Sequence, residues 1–105
     1  MSGGGGGGPY GEPSGPAQDC KIIERTILNS PNATVLKALR VGDSLDVLLQ
    51  GNSLVAQLAS GPPPAGALTP ARLADLIDCI KQGKLFKAVI VQISGGRCDV
   101  EIRPR

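Results

Sequence analysis

A single aromatic ring, Phe86, must serve the whole foldable part of this chain. The other ring, Tyr10, lies among residues 1–19, where eight of the 15 glycines fall between Gly3 and Gly15 beside Pro9, Pro13 and Pro16. Such a stretch offers too little apolar surface to offset the entropy of ordering it, so it reads as a disordered Gly/Pro-rich tail. It has neither the basic start and apolar stretch of a secretory signal nor the arginines of a transit peptide. Residues 20–105 then form a single small domain with a core of Leu, Ile, Val, Ala and Cys. At this size an aliphatic core leaves a net stability of only a few kcal/mol, which favours self-association.

The missing residue types exclude functions as well. Without Trp, and with one ring in the domain, there is no material for a base-stacking platform, an aromatic cage or a groove for Pro-rich peptides. The chain has no His, which removes the commonest general base and metal ligand together with Ser–His and Cys–His nucleophile pairs. Cys20, Cys79 and Cys98 are odd in number, far apart and form no CxxC pair. They read as small buried hydrophobes in a reducing cytoplasm, with no zinc site among them. No apolar run approaches the roughly 18 residues that span a bilayer, so no membrane association is expected.

Period-two patterning dominates the domain. Residues Cys20–Asn29 read as a strand, ended by the turn formers Asn29-Ser30-Pro31-Asn32. Ala33–Val41 fits one helical turn or an irregular connector, with Val35, Leu36, Leu39 and Val41 as its apolar positions. Leu45, Val47 and Leu49 alternate with more polar neighbours. Gly51-Asn52-Ser53 then supplies a turn, and Leu54–Ala59 returns as the second arm of a hairpin. Gly61-Pro62-Pro63-Pro64 cannot pair in a sheet and reads as a stiff loop.

The clearest helix covers 70–82, with Thr69 as N-cap and Pro70 in the first position. Leu73, Leu76, Ile77 and Ile80 form its buried stripe, and Gly83 closes it. Phe86–Ile93 is apolar on both faces and reads as a central strand. Gly95-Gly96 turns the chain into a last strand with Cys98, Val100 and Ile102 facing in and Arg97, Asp99, Glu101 and Arg103 facing out. The expected fold is α+β: a curved antiparallel sheet or small β-barrel of about five strands, covered by one main helix over 70–82.

No catalytic constellation stands out. The carboxylate pairs Asp43/Asp46 and Asp75/Asp78 sit at a turn and on a polar helix face, where local hydrogen bonding and solvation account for them. Neither a P-loop nor GxGxxG is present, and the Gly3–Gly8 run follows no strand. The free N–H groups at the start of the Pro70 helix could hold an anion beside Arg72.

Charge gives the remaining lead, because all 11 lysines and arginines lie within residues 20–105 and leave the domain basic. Lys81, Lys84 and Lys87 bunch at the helix exit, Arg97, Arg103 and Arg105 lie on the last strand and after it, and Lys21 and Arg25 on the first. Of these, Lys81, Lys84, Lys87, Arg97 and Arg103 are the candidate nucleic-acid contacts, holding phosphates in a salt-sensitive way. The bland alternative is a solvated rim that also suppresses edge-to-edge pairing.

Leu39-Arg40-Val41-Gly42-Asp43-Ser44-Leu45-Asp46-Val47 leads into Leu54–Leu58 and then Ala65-Gly66-Ala67-Leu68-Thr69-Pro70. With the Leu73/Leu76/Ile77 helix, Gly83 and Phe86-Lys87-Ala88-Val89, this pattern resembles the HIRAN domain over about residues 35–103. The resemblance implies a compact β-barrel-like fold with a helix, and binding of single-stranded DNA ends. The chain departs from the family at Leu68, where its members commonly carry an aromatic. Taken together, the sequence points first to a non-catalytic binding module whose partner is another protein or a second copy of the chain. A nucleic-acid-binding module acting through the basic residues is the alternative. Neither an enzyme activity nor a cofactor or metal is expected.

Overall fold

A computed structural model describes residues 20–105, and the tail read over 1–19 lies outside the described residues. The elements run β1 (Glu24–Asn29), α1 (Ala33–Leu36), β2 (Ser44–Gln50), β3 (Ser53–Gln57), β4 (Gly66–Leu68), α2 (Leu73–Lys81), β5 (Phe86–Ser94) and β6 (Arg97–Pro104). The six strands close into an antiparallel barrel in the order β1-β4-β3-β2-β5-β6, with β6 pairing back onto β1. With 44% of the described residues in strands and 15% in helix, this is a mostly-β barrel. The expected α+β domain of about five strands under one main helix is therefore corrected.

The correction turns on β4. Its three residues carry no period that could be read from sequence, yet they bridge β3 and β1 and complete the ring. The seam between β1 and β4 holds only two register pairs, Leu28↔Leu68 and Asn29↔Ala67. Gly66 lets the strands meet there, since a Cβ at this position would stand 3.1 Å from both the Asn29 carbonyl oxygen and Leu28 Cβ. Beside the seam, Asn29 Nδ2 donates to Thr69 Oγ1 at 2.6 Å and the Asn32 N–H to the Ala65 carbonyl at 2.8 Å. Closure also leaves the sheet without free strand edges.

Alternation fills the interior. Leu45 and Val47 of β2, Leu54 and Ala56 of β3, Ala88 and Ile90 of β5, and Cys98, Val100 and Ile102 of β6 are buried in one cluster. Phe86 enters that cluster at 1% exposure, on the inward side of β5. The apolar run of β5 reflects a bulge rather than a flat central strand. Ile90 pairs with Val100 but Gln92 with Asp99, which leaves Val91 as an extra residue that bends the strand.

The two helices close the ends. The stretch Ala33–Val41 resolves into a one-turn α1 in which the Val35 N–H donates to Asn32 Oδ1 at 3.1 Å. Val35, Leu36 and Leu39 are buried, whereas Val41 is exposed. At the other end, where β5 begins and β6 ends, α2 buries Leu76 and Cys79 and packs Leu73, Ile77 and Ile80 against the core.

α2 begins at Leu73, three residues later than the helix predicted over 70–82, because Thr69 is engaged with Asn29 and does not cap it. A remote carboxylate takes over. Glu24 of β1 accepts from the Ala71 N–H at 2.5 Å and the Arg72 N–H at 3.1 Å, filling the anion position that the sequence had left open. Glu24→Ala should therefore lower stability by about 1 kcal/mol, and Glu24→Gln by less because its amide oxygen still accepts. Urea midpoints of the two variants against the parent protein check this.

Candidate functional site

The end of the barrel covered by α2 carries the exposed cations Lys21, Lys81, Lys84, Arg103 and Arg105. There a cavity of about 390 Å³ opens between Cys20, Lys21, Gln82, Lys84, Leu85, Pro104 and Arg105. The pairing of the strands builds it. β5 enters as Leu85–Phe86, β6 leaves as Pro104–Arg105, and the Arg105 N–H donates to the Leu85 carbonyl at 3.0 Å. Continuing the β1–β6 register one step back from Glu24↔Ile102 sets Ile23 beside Arg103. Leu85, level with Arg105, and Ile23, level with Arg103, therefore flank the end of β6 on either side, about 12 Å apart across two strand spacings and a two-residue stagger. Both are strongly exposed, Leu85 at 64% and Ile23 at 63%. A mixed surface results, with cations around two bare aliphatic side chains.

The five sequence-predicted contact residues divide. Lys84 lines the cavity, Lys81 ends α2 beside it, and Lys87 and Arg103 are register partners on the outer face of β5 and β6. Arg97 is not among them. It lies at the far end of β6, six residues from Arg103 and so about 20 Å along the strand. There it donates from Nε to Asp99 Oδ1 at 2.8 Å, and the hydrogen bond and charge of Asp99 hold its pKa above the ordinary value. Arg103 forms an ion pair with Glu101 of its own strand, and Arg105 reaches Asp46 at 3.3 Å. Asp46 is also the register partner of Lys87.

Sequence reasoning left Lys21, Arg105, Leu85 and Ile23 out of the site. Lys21 and Ile23 lie more than 60 residues from Leu85 and Arg105 in the chain, and the two pairs meet only because β6 pairs with both β1 and β5. The single legible signal was the exposed apolar residue beside a cation, Lys21-Ile22-Ile23 and Lys84-Leu85, where a solvated rim alone would have carried polar residues.

The cysteines are also corrected. Cys20 and Cys79 are joined in a disulfide, with Cα atoms 5.8 Å apart, and only Cys98 is free. The sequence reading placed all three as unpaired core residues, because nothing in their spacing shows that the segment before β1 runs alongside α2. The pairing withdraws the argument for a reducing compartment that rested on unpaired thiols. Cys98 does behave as a core residue, and burial, helped by the charge of Asp99, pushes its thiol pKa up.

One member of each carboxylate pair serves locally. Asp43 Oδ2 accepts from the Arg40 N–H at 2.8 Å, and Asp75 pairs with Arg72 at 3.1 Å. Among the described residues no group of three or more His, Cys, Asp or Glu could hold a metal ion. No helix among them is long and apolar enough to cross a membrane. A second cavity of about 400 Å³ lies at the opposite barrel end, between Leu36 and Leu39 beyond α1 and Ile93 and Gly95 of the β5–β6 turn. No family model, curated protein or solved structure matches this chain.

Proposed function

We propose that this chain is a small, non-catalytic binding module whose partner is a protein segment carrying acidic and aliphatic side chains. The partner docks on the α2 end of the barrel. The observation that carries this reading is the exposure of Leu85 and Ile23 among Lys21, Lys84, Lys87, Arg103 and Arg105, beside the 390 Å³ cavity. Cations attract an acidic segment and set its orientation, whereas the aliphatic pair is what desolvation rewards.

Nucleic acid is the second reading, favoured by the Lys84, Lys87 and Arg103 cluster and by the HIRAN-like pattern. Phosphate contacts alone would have to sustain it. Phe86 and Leu68 are each 1% exposed, so neither can stack on a base.

Fluorescence anisotropy with two labelled probes tests the choice: a peptide alternating glutamate and leucine, and a single-stranded oligothymidylate. The peptide should bind, weaken with salt, and lose about 10-fold in affinity in Leu85→Ser, a change of roughly 1.4 kcal/mol. Binding of the oligonucleotide alone, with a steep salt dependence and no effect of Leu85→Ser, would transfer the function to the second reading. Light scattering that shows dimers lost in Leu85→Ser would instead make a second copy of the chain the partner.

A further inference from the structure

We propose that the Cys20–Cys79 disulfide is a redox latch on this binding face, so that its reduction loosens one wall of the cavity and weakens docking while the barrel stays folded. The proposal rests on the docking reading above. Its physical basis is the strap formed by residues 20–24. Cys20 is joined to Cys79 near the end of α2, Ile22 is buried in the core, and Glu24 accepts from the Ala71 and Arg72 N–H groups just ahead of the same helix. Four extended residues cover about 13 Å, and the helix from Arg72 to Cys79 rises about 10 Å. The strap therefore runs antiparallel along α2 and is attached at both ends.

The disulfide end of the strap is the end that belongs to the site. Cys20 and Lys21 form part of the cavity lining, facing Lys84, Leu85 and Arg105. Cys79 acts on the opposite wall as well, since its carbonyl accepts from the Lys84 N–H at 3.0 Å and the Gln82 N–H at 3.1 Å. One covalent bond thus links both walls. Ile22 and Glu24 hold the other half of the strap through contacts that do not involve sulfur, so opening is local. Cys98 stands apart, buried on the inward face of β6 and paired in register with Ile93 near the far turn.

The chemistry is a two-electron exchange with a dithiol reductant. A reductant thiolate attacks Cys20 Sγ, the half-buried partner, and the S–S bond breaks with Cys79 leaving as a thiolate that takes up a proton. The second reductant thiol then attacks the mixed disulfide and releases the Cys20 thiol, and the reductant departs as its own disulfide.

The test compares the oxidised protein, the protein reduced with dithiothreitol, and Cys20→Ser, with the redox state read by intact mass. Reduction should weaken the glutamate–leucine peptide about 5-fold or more, the lower end of ordinary coupling between sites. Because coupling is reciprocal, saturating peptide should make the disulfide harder to reduce by the same factor. Amide hydrogen exchange should speed up most at Lys21–Ile23 and Gln82–Leu85, and in β5 and β6 by no more than the loss of global stability accounts for. Cys20→Ser should match the reduced protein and ignore dithiothreitol. Equal exchange in the two redox states overturns the latch, as does exchange that rises by the same factor at the strap and throughout the barrel. If the oxidised protein fails to bind the peptide while local exchange still rises on reduction, the docking reading falls and the latch stands.

Discussion

Phe86→Ala is expected to cost about 3–5 kcal/mol of folding stability. Within a total of roughly 5–15 kcal/mol for a domain of this kind, that brings the barrel close to unfolding. Phe86 opens β5 on the inward side, is 1% exposed and belongs to the one buried cluster, so truncation leaves a cavity lined by aliphatic side chains from several strands. No other ring stands among the described residues to move into it. Backbone pairing on both sides, Phe86↔Pro104 on β6 and the neighbouring Lys87↔Asp46 on β2, limits how far the wall can collapse. At about 4–8 °C per kcal/mol, the thermal midpoint should fall by roughly 12–40 °C. Phe86→Leu restores most of the volume and should cost under about 1.5 kcal/mol. A calorimetric midpoint for Phe86→Ala within 5 °C of the parent would show that the ring does not anchor the core.

Cys20→Ser should cost about 2–4 kcal/mol, the range for disulfides that close long loops. The bond joins residues separated by 59 positions, and the chain-entropy account gives about 4 kcal/mol for a loop of this length. The observed loss should fall toward the lower part of the range, because the Ile22 contact and the Glu24 cap keep the strap on α2 when the sulfurs part. Urea denaturation checks both parts of the argument. The midpoint should fall, and the slope should rise because the unlinked denatured chain exposes more surface. The same melt run on the parent protein in dithiothreitol should reproduce the variant. If oxidised and reduced parent proteins unfold at one midpoint, the bond contributes no constraint.

Much of the barrel was legible in the sequence. The period-two runs in Leu45–Leu49 and Cys98–Arg103 are hairpin arms whose faces follow from side-chain alternation, and Gly51-Asn52-Ser53 marks Leu54–Ala59 as the returning arm although Leu54, Val55 and Ala56 are all buried. The stripe Leu73, Leu76, Ile77 and Ile80 likewise fixes which side of α2 packs inward. Those are local properties, set within a window of a few residues. β4 was hidden because three residues hold no period. The start of α2 was misplaced because Thr69 is engaged with Asn29, while Glu24, 47 positions away, accepts from the Ala71 and Arg72 N–H groups just ahead of the helix. The candidate site was half legible. Lys84, Lys87 and Arg103 converge, but Arg97 stands about 20 Å from Arg103, since charge in a sequence carries no record of which end of a strand it occupies.

The scarcity of rings settles, without any coordinates, that this domain has an aliphatic core and no stacking surface. Composition is enough for that, because no arrangement of the chain can supply a side chain it lacks. Whether the sheet stays open or closes depends on Gly66 meeting Leu28 and Asn29, and the disulfide depends on the strap lying along α2. Both contacts join residues tens of positions apart. They are decided only when the whole chain packs, because a contact of that range gains its free energy from partners that local pattern does not specify.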